Sequence, residues 1–228
     1  LFQFCFWRNR FTERKFLMFG DFGSFLMNMI AGLPGIIIAM VIHEYAHARV
    51  AVALGDFTPR MMGRLTLSPM AHLDPIGLLM LLVAHFGWAK PVQINPYNFE
   101  NPRRDDILVS VAGPAANLLT AFVTLLVIVF MAKLDLPMSD GMYLVFNFIM
   151  IININFAIFN MLPIPPLDGS HILKQLLPYE LSQKYEELER YSMLFLIIIL
   201  MTPILSYVFV PIQRLVLGFF QFVAGLIL

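Results

Sequence analysis

The sequence predicts an all-α polytopic membrane protein: a bundle of about five to six transmembrane helices, with a re-entrant segment and short β elements near the candidate site. Three observations carry that prediction. Of 228 residues, 59% are hydrophobic. Only 13% are charged, about half the share usual in a soluble domain. The apolar residues also fall in long runs separated by short stretches rich in proline, glycine and polar groups, as expected of helices that cross a hydrocarbon layer of about 30 Å. Equal numbers of acidic and basic residues leave no net charge, so nothing points to nucleic acid, and the lipid bilayer is the expected surrounding. Cys5 is the single cysteine, which excludes a disulfide framework and a thiolate metal site and leaves nitrogen and oxygen as the ligands for any metal.

The elements follow in order. Residues 1–21, basic and aromatic, lack the apolar core and small-residue cleavage site of a signal peptide and are expected to lie at the membrane interface. The first long apolar run covers 22–54, with Gly32, Pro34 and Gly35 as points where it would kink or tilt. The next stretch, GDFTPRMMGRLTLSPMAHLDP, is loop-like, with RLTL as a short strand. Residues 76–88 are apolar but too short to cross as a helix, so a re-entrant element is expected. A second short strand is placed at 91–94, in PVQI. Helices are expected over about 107–132 and 142–162. The second is broken by LPIPPLDG, because three prolines within four residues cannot continue a helix. An amphipathic stretch, YELSQKYEELER, precedes two last apolar runs at 191–201 and 204–228. Nine of the fifteen Lys and Arg residues lie in 49–106 and 163–190, so the face carrying those connections is expected to be cytoplasmic.

At the end of the first run stands HEYAHA, with His43, Glu44 and His47. Ionisable groups in hydrocarbon cost roughly 2.5–3.5 kcal/mol each on insertion scales and so tend to mark function. On a helix, residues 43 and 47 are one turn apart, and 44 shares the same arc. Two imidazoles so placed can hold one zinc ion, with a carboxylate beside them to take a proton from water attacking a carbonyl. An interfacial helix end would also accommodate His, Tyr and Arg, and HExxH occurs by chance. A catalytic zinc needs a third protein ligand. Asp56 is the one nearby acid, across Gly55, whereas Asp168 in NMLPIPPLDGSH follows an apolar span at a proline-enforced break. A buried aspartate there needs a counter-charge, which an ion held by two neutral histidines would provide.

HEYAHA, GPAAN and NMLPIPPLDG, in that order on three hydrophobic helices, resemble the site-2 protease family of intramembrane zinc metalloproteases. GRLTLSPMAHLDPIG and FGWAKPVQINPYNF resemble its short bacterial and archaeal branch, which lacks PDZ and CBS domains. The resemblance implies a three-helix catalytic core within residues 22–180, followed by C-terminal transmembrane helices at 181–228. It implies Zn2+ held by His43, His47 and Asp168, and Glu44 as the general base. It further implies a zinc endopeptidase cutting transmembrane segments of membrane-protein substrates in a prokaryotic inner (plasma) membrane, with the site toward the cytoplasm. Asn160, eight residues before Asp168, stands where the family has an asparagine beside the active site, and its amide is expected to serve catalysis by holding a substrate carbonyl or an oxyanion. Asn153 and Asn155 are expected to make interhelical hydrogen bonds. GPAAN reads as a close helix contact, with Asn117 steadying the site from behind. His72, His85 and His171 are expected not to bind metal, and His72 to help shape the site at most. The alternatives are a metal-transporting or metal-binding membrane protein, and an inactive relative that binds membrane helices.

Overall fold

In a computed structural model, residues 18–77 and 89–227 are described. The first apolar run forms one continuous helix, α1 (Met18–Ala53), that carries Pro34 in its interior. Two one-turn helices follow, α2 (Thr58–Met61) and α3 (Pro69–His72), each with proline in its first turn, where the missing N–H is not needed. A 3-10 turn at Pro96–Asn98 leads into α4 (Pro102–Lys133), which contains the GPAAN sequence and Pro114. Helix α5 (Asp140–Asn160) begins at Ser139, whose side chain accepts from the Met142 N–H as an N-cap. The proline-rich break separates it from α6 (Asp168–Leu176), with the Pro165–Pro166 bond cis. Helices α7 (Tyr179–Glu189), α8 (Ser192–Met201) and α9 (Ile204–Ile227) complete the chain.

Four helices among the described residues are long and apolar enough to cross a membrane: Leu26–Ala53, Pro102–Lys133, Asp140–Asn160 and Tyr207–Ile227. The expectation of about five to six concerns the whole chain. The run at 191–201 yields a ten-residue helix, which at 1.5 Å per residue rises about 15 Å, half the hydrocarbon thickness. The expected re-entrant element falls mostly on residues 78–88, and most of the N-terminal segment on 1–17; both lie outside the described residues.

The two short strands do not form. Among the described residues the single β pairing is an isolated antiparallel bridge between Leu73 and Ala89. Arg64 to Leu67 instead fold around His72, which is completely buried. The His72 Nε2–H donates to the Thr66 carbonyl at 2.7 Å, and the Arg64 guanidinium donates to the Ala71 carbonyl. Residues 91–95 form no strand; Asn95 is extended. Their backbone bonds go to side chains, as described below.

Helices α1, α4 and α5 pack against one another pairwise, α6 lies on α4, and α9 covers α4 and α5. The main apolar core joins Ala121 and Leu125 of α4, Met150, Ile154 and Ile158 of α5, and Phe209, Phe220 and Ala224 of α9. Large apolar residues such as Leu119, Val123, Phe130, Phe219 and Phe222 point outward, the pattern of helices whose solvent is lipid. Because the three central helices alternate in direction, the end of α1, the start of α4 and the end of α5 share one end of the bundle. That end holds the polar residues discussed next.

Candidate metal centre

His43 and His47 project from the same face of α1, roughly 15 Å and 9 Å of helix before its C-terminus at Ala53. Both are buried, at 4% and 6% exposure. Their Nε2 atoms lie 3.0 Å apart. Asp168, the first residue of α6, brings Oδ2 to 3.1 Å from His43 Nε2 and 3.4 Å from His47 Nε2. The three side chains are the one group of metal-ligating residues that converges among the described residues. Residues 125 positions apart in the chain thus meet at one point.

What the other ring nitrogens do decides what that point can hold. His43 Nδ1 lies 2.7 Å from Asn117 Oδ1, and His47 Nδ1 lies 2.7 Å from the Val109 carbonyl oxygen. Both partners are acceptors, so each Nδ1 carries the proton and donates it, and each neutral imidazole presents a lone pair at Nε2. Two nitrogen lone pairs and a carboxylate oxygen therefore face one another within 3.4 Å. Asp168 Oδ2 is buried with no hydrogen-bond partner. Mutual repulsion would drive these atoms apart unless a cation sits among them. An N2O donor set with both Nδ1 groups anchored behind it is compatible with a zinc ion and leaves room for a fourth ligand.

Two glycines make the approach possible. A Cβ on Gly113 would lie 2.4 Å from His47 Nε2 and 2.7 Å from His43 Cε1, so the start of GPAAN is the wall against which both imidazoles rest. A Cβ on Gly169 would lie 2.3 Å from the Met161 carbonyl oxygen. Only glycine lets the start of α6 tuck beneath the end of α5 and turn Asp168 inward. Phe156 of α5 closes the remaining side, its ring edge-on to His43 at 5.0 Å between centroids.

Glu44 is partly buried, and its Oε2 accepts from the Val92 N–H at 2.9 Å. Residues 91–95 thus lie against the HExxH helix and are fixed at both ends. Lys90 N donates to the His72 carbonyl and Asn95 N to Asp56 Oδ2, each at 2.8 Å. Asp56 is fully buried and does not join the metal-ligating group. It accepts from the Thr58 N–H and hydroxyl and from the Asn98 amide as well. Burial alone would raise its carboxyl pKa, but these bonds outweigh burial and hold it below the ordinary value.

Asn160 is the expected site residue least tied to the cluster. Its amide donates back to the Phe156 carbonyl at 2.9 Å, within its own helix, and no hydrogen bond among the described residues joins it to the histidines. Asn155 bonds Gln213 of α9 at 2.9 Å, an interhelical contact as expected. Asn153 does more than that: its Oδ1 accepts from Asn117 Nδ2, placing it directly behind the His43 partner. His171 stands beside Asp106 at 4.0 Å, away from the cluster.

With this geometry in place, comparison with known proteins gives a consistent result. The profile of peptidase family M50 matches residues 136–202, a stretch that contains Asp168 but not HEYAHA. The chain is 38% identical over 195 residues to YwhC of Bacillus subtilis (strain 168), covering 82% of this chain and 89% of the relative. The chain belongs to peptidase family M50. YwhC carries a name that describes it as a candidate zinc metalloprotease. The same description attaches to Rip2 of Mycolicibacterium smegmatis, 30% identical over 209 residues, covering 87% of this chain and 76% of the relative. Rip2 of Mycobacterium tuberculosis (strain ATCC 25618 / H37Rv) is 29% identical over 180 residues, covering 76% and 68%. No solved structure gives a match. Four candidate spans and membership in this family make the chain an integral membrane metalloprotease, and the N2O donor set suits the zinc that family M50 implies.

Proposed function

We propose that this M50 member is an intramembrane zinc endopeptidase that hydrolyses peptide bonds in or near the transmembrane segments of other membrane proteins. The observation that carries the reading is the convergence of His43, His47 and Asp168, with both Nδ1 atoms engaged as donors and three electron pairs directed at one point. These three residues would hold the ion. Bound there, zinc would polarise the scissile carbonyl and acidify a water molecule toward a pKa of about 7.

The chain's own residues supply the rest. Glu44, on the same helical arc as the histidines, takes the proton from the attacking water and returns it to the leaving amine. The Val92 N–H orients its carboxylate. Asn160 lies one turn beyond Phe156, the residue that packs on His43. Only one of its two amide N–H groups is needed for the bond within the helix, and the other is the proposed donor to a substrate carbonyl. A helical substrate hides its carbonyls, so the scissile segment must be held extended. Residues 91–95, held beside Glu44 through Val92, offer a place for it. The cluster lies toward the bundle end whose connections carry nine of the fifteen basic residues, which supports a cytoplasm-facing site in a prokaryotic inner membrane.

The test uses the full chain in proteoliposomes with tagged single-span reporters. The wild type should cleave some of them, and Glu44→Gln should keep its zinc while cleavage falls by about 10²–10⁴-fold. Equal cleavage by Glu44→Gln would remove the mechanism. Zinc flux without any proteolysis would favour a transporter.

A further inference from the structure

Behind the metal-facing side of His43 lies a chain of buried amides that the peptidase chemistry does not require. Asn117 and Asn153 are both completely buried, in a part of the bundle where an apolar residue would be cheaper to place. Their orientation is fixed by their partners. Asn153 Nδ2 donates to the Ile149 carbonyl, so its Oδ1 faces Asn117. Asn117 Nδ2 donates to that oxygen and to the Ala39 carbonyl, both at 2.9 Å. With both amide hydrogens engaged, Asn117 can present only Oδ1 to His43. The polar chain from Ile149 to His43 therefore has one direction and no unsatisfied member.

We propose that Asn117 is a positioning residue that locks His43 in the Nδ1–H tautomer and thereby directs the Nε2 lone pair at the metal. The inference rests on the metalloprotease reading above. In the opposite tautomer the Nδ1 lone pair would face Asn117 Oδ1 at 2.7 Å, and Nε2 would carry a hydrogen directed at the ion. The two ligands differ in how this is achieved. His47 relies on the Val109 main-chain carbonyl, which side-chain substitution cannot delete, whereas His43 relies on a side chain. Asn153 and the Ala39 carbonyl keep the Asn117 amide from turning over.

The test separates the acceptor at residue 117 from its two donors. Asn117→Leu removes both. Asn117→Asp keeps an oxygen toward His43 and loses the N–H groups toward Ala39 and Asn153. Zinc affinity of the full chain in detergent, measured by competition with a chromogenic chelator, should fall about 10–100-fold in Asn117→Leu. It should stay near the wild-type value in Asn117→Asp. Nitrogen-15 spectra of metal-free protein labelled at histidine should show the Nδ1–H tautomer of His43 in the wild type and Asn117→Asp, and its loss in Asn117→Leu. If Asn117→Leu does not fold, Asn117→Ala takes its place in the same comparison. Equal losses in the leucine (or alanine) and aspartate variants would assign Asn117 a packing role and overturn the proposal. So would wild-type zinc affinity in the leucine or alanine variant. A wild-type chain that binds no zinc would instead count against the metalloprotease reading itself.

Discussion

Replacing Gly113 with alanine adds one methyl group to the middle of a transmembrane helix, where alanine is favoured over glycine by about 1 kcal/mol. Local propensity therefore predicts a more stable protein. The geometry predicts loss of the metal site. The new Cβ would stand 2.4 Å from His47 Nε2 and 2.7–2.8 Å from two atoms of the His43 ring, while ordinary contact begins near 3.4 Å. At least one imidazole must retreat by about 1 Å, and zinc ligation tolerates departures of only about 0.2 Å from its usual bond lengths. Retreat is blocked behind, because both Nδ1 atoms are already bonded at 2.7 Å. We expect zinc affinity to fall at least as far as on loss of a group supporting a ligand, about 10–100-fold, and turnover by about 100-fold. The fold should survive, as judged by thermal melting in detergent. Gly141→Ala is the control, since nothing lies within 4 Å of its added carbon. A Gly113→Ala protein that binds zinc as tightly as the wild type would refute the reasoning, because the packing of α4 on α1 would then not set the imidazole positions.

Two further predictions concern the aspartates. Asp168→Ala should lose both bound zinc and proteolysis, read by metal analysis after dialysis; retained zinc would move the third ligand elsewhere. Asp56→Asn should leave zinc binding intact but place an amide N–H group against one of the donors that the carboxylate now satisfies, costing about 1–3 kcal/mol of stability. The Asp56 carboxyl is held below its ordinary value, so its contribution should be fully present above about pH 4 and fade as pH falls through the lower folded value. The melting temperatures of wild type and variant should therefore converge in acid, and a constant difference down to the lowest accessible pH would contradict this.

How much of this site could be read from sequence depended on whether its parts have residue-type signatures. His43, Glu44 and His47 lie on one helix, so their spacing alone set their geometry. Asp168 was legible because an acid after a proline-broken apolar span needs a counter-charge, and the two imidazoles needed a third ligand. The Val109 carbonyl, which orients His47, had no such signal, since every residue carries one. Asn153 looked like any amide joining two membrane helices, and only its Asn117 partner connects it to His43. The short strands failed for a related reason. Alternation over four residues describes a chain that could pair, but pairing needs a neighbour. Here the N–H groups of residues 92 and 95 were taken instead by the carboxylates of Glu44 and Asp56. Those partners lie 48 and 39 positions away, beyond the reach of any local pattern.

The same contacts explain how so polar a centre persists inside an apolar bundle. His43, His47 and Asn117, buried groups that sequence alone would count as a cost, each have a partner on a different helix. His43 of α1 meets Asn117 of α4, Asn117 meets Asn153 of α5, and His47 of α1 meets the α4 backbone. Small residues set the spacing: Ala39 lets the Asn117 side chain reach the α1 backbone, and Gly113 lets the α1 imidazoles rest against α4. An unsatisfied polar group in hydrocarbon costs several kcal/mol, so separating any two of these helices would expose several such groups together. The polar network therefore specifies the register of α1 against α4 and α5, a task that apolar surfaces in lipid perform weakly because lipid solvates them equally well. On that account the site and the fold share their determinants. Asn153→Leu, which leaves every metal ligand in place, should then loosen the packing of α4 on α5 more than it weakens zinc binding.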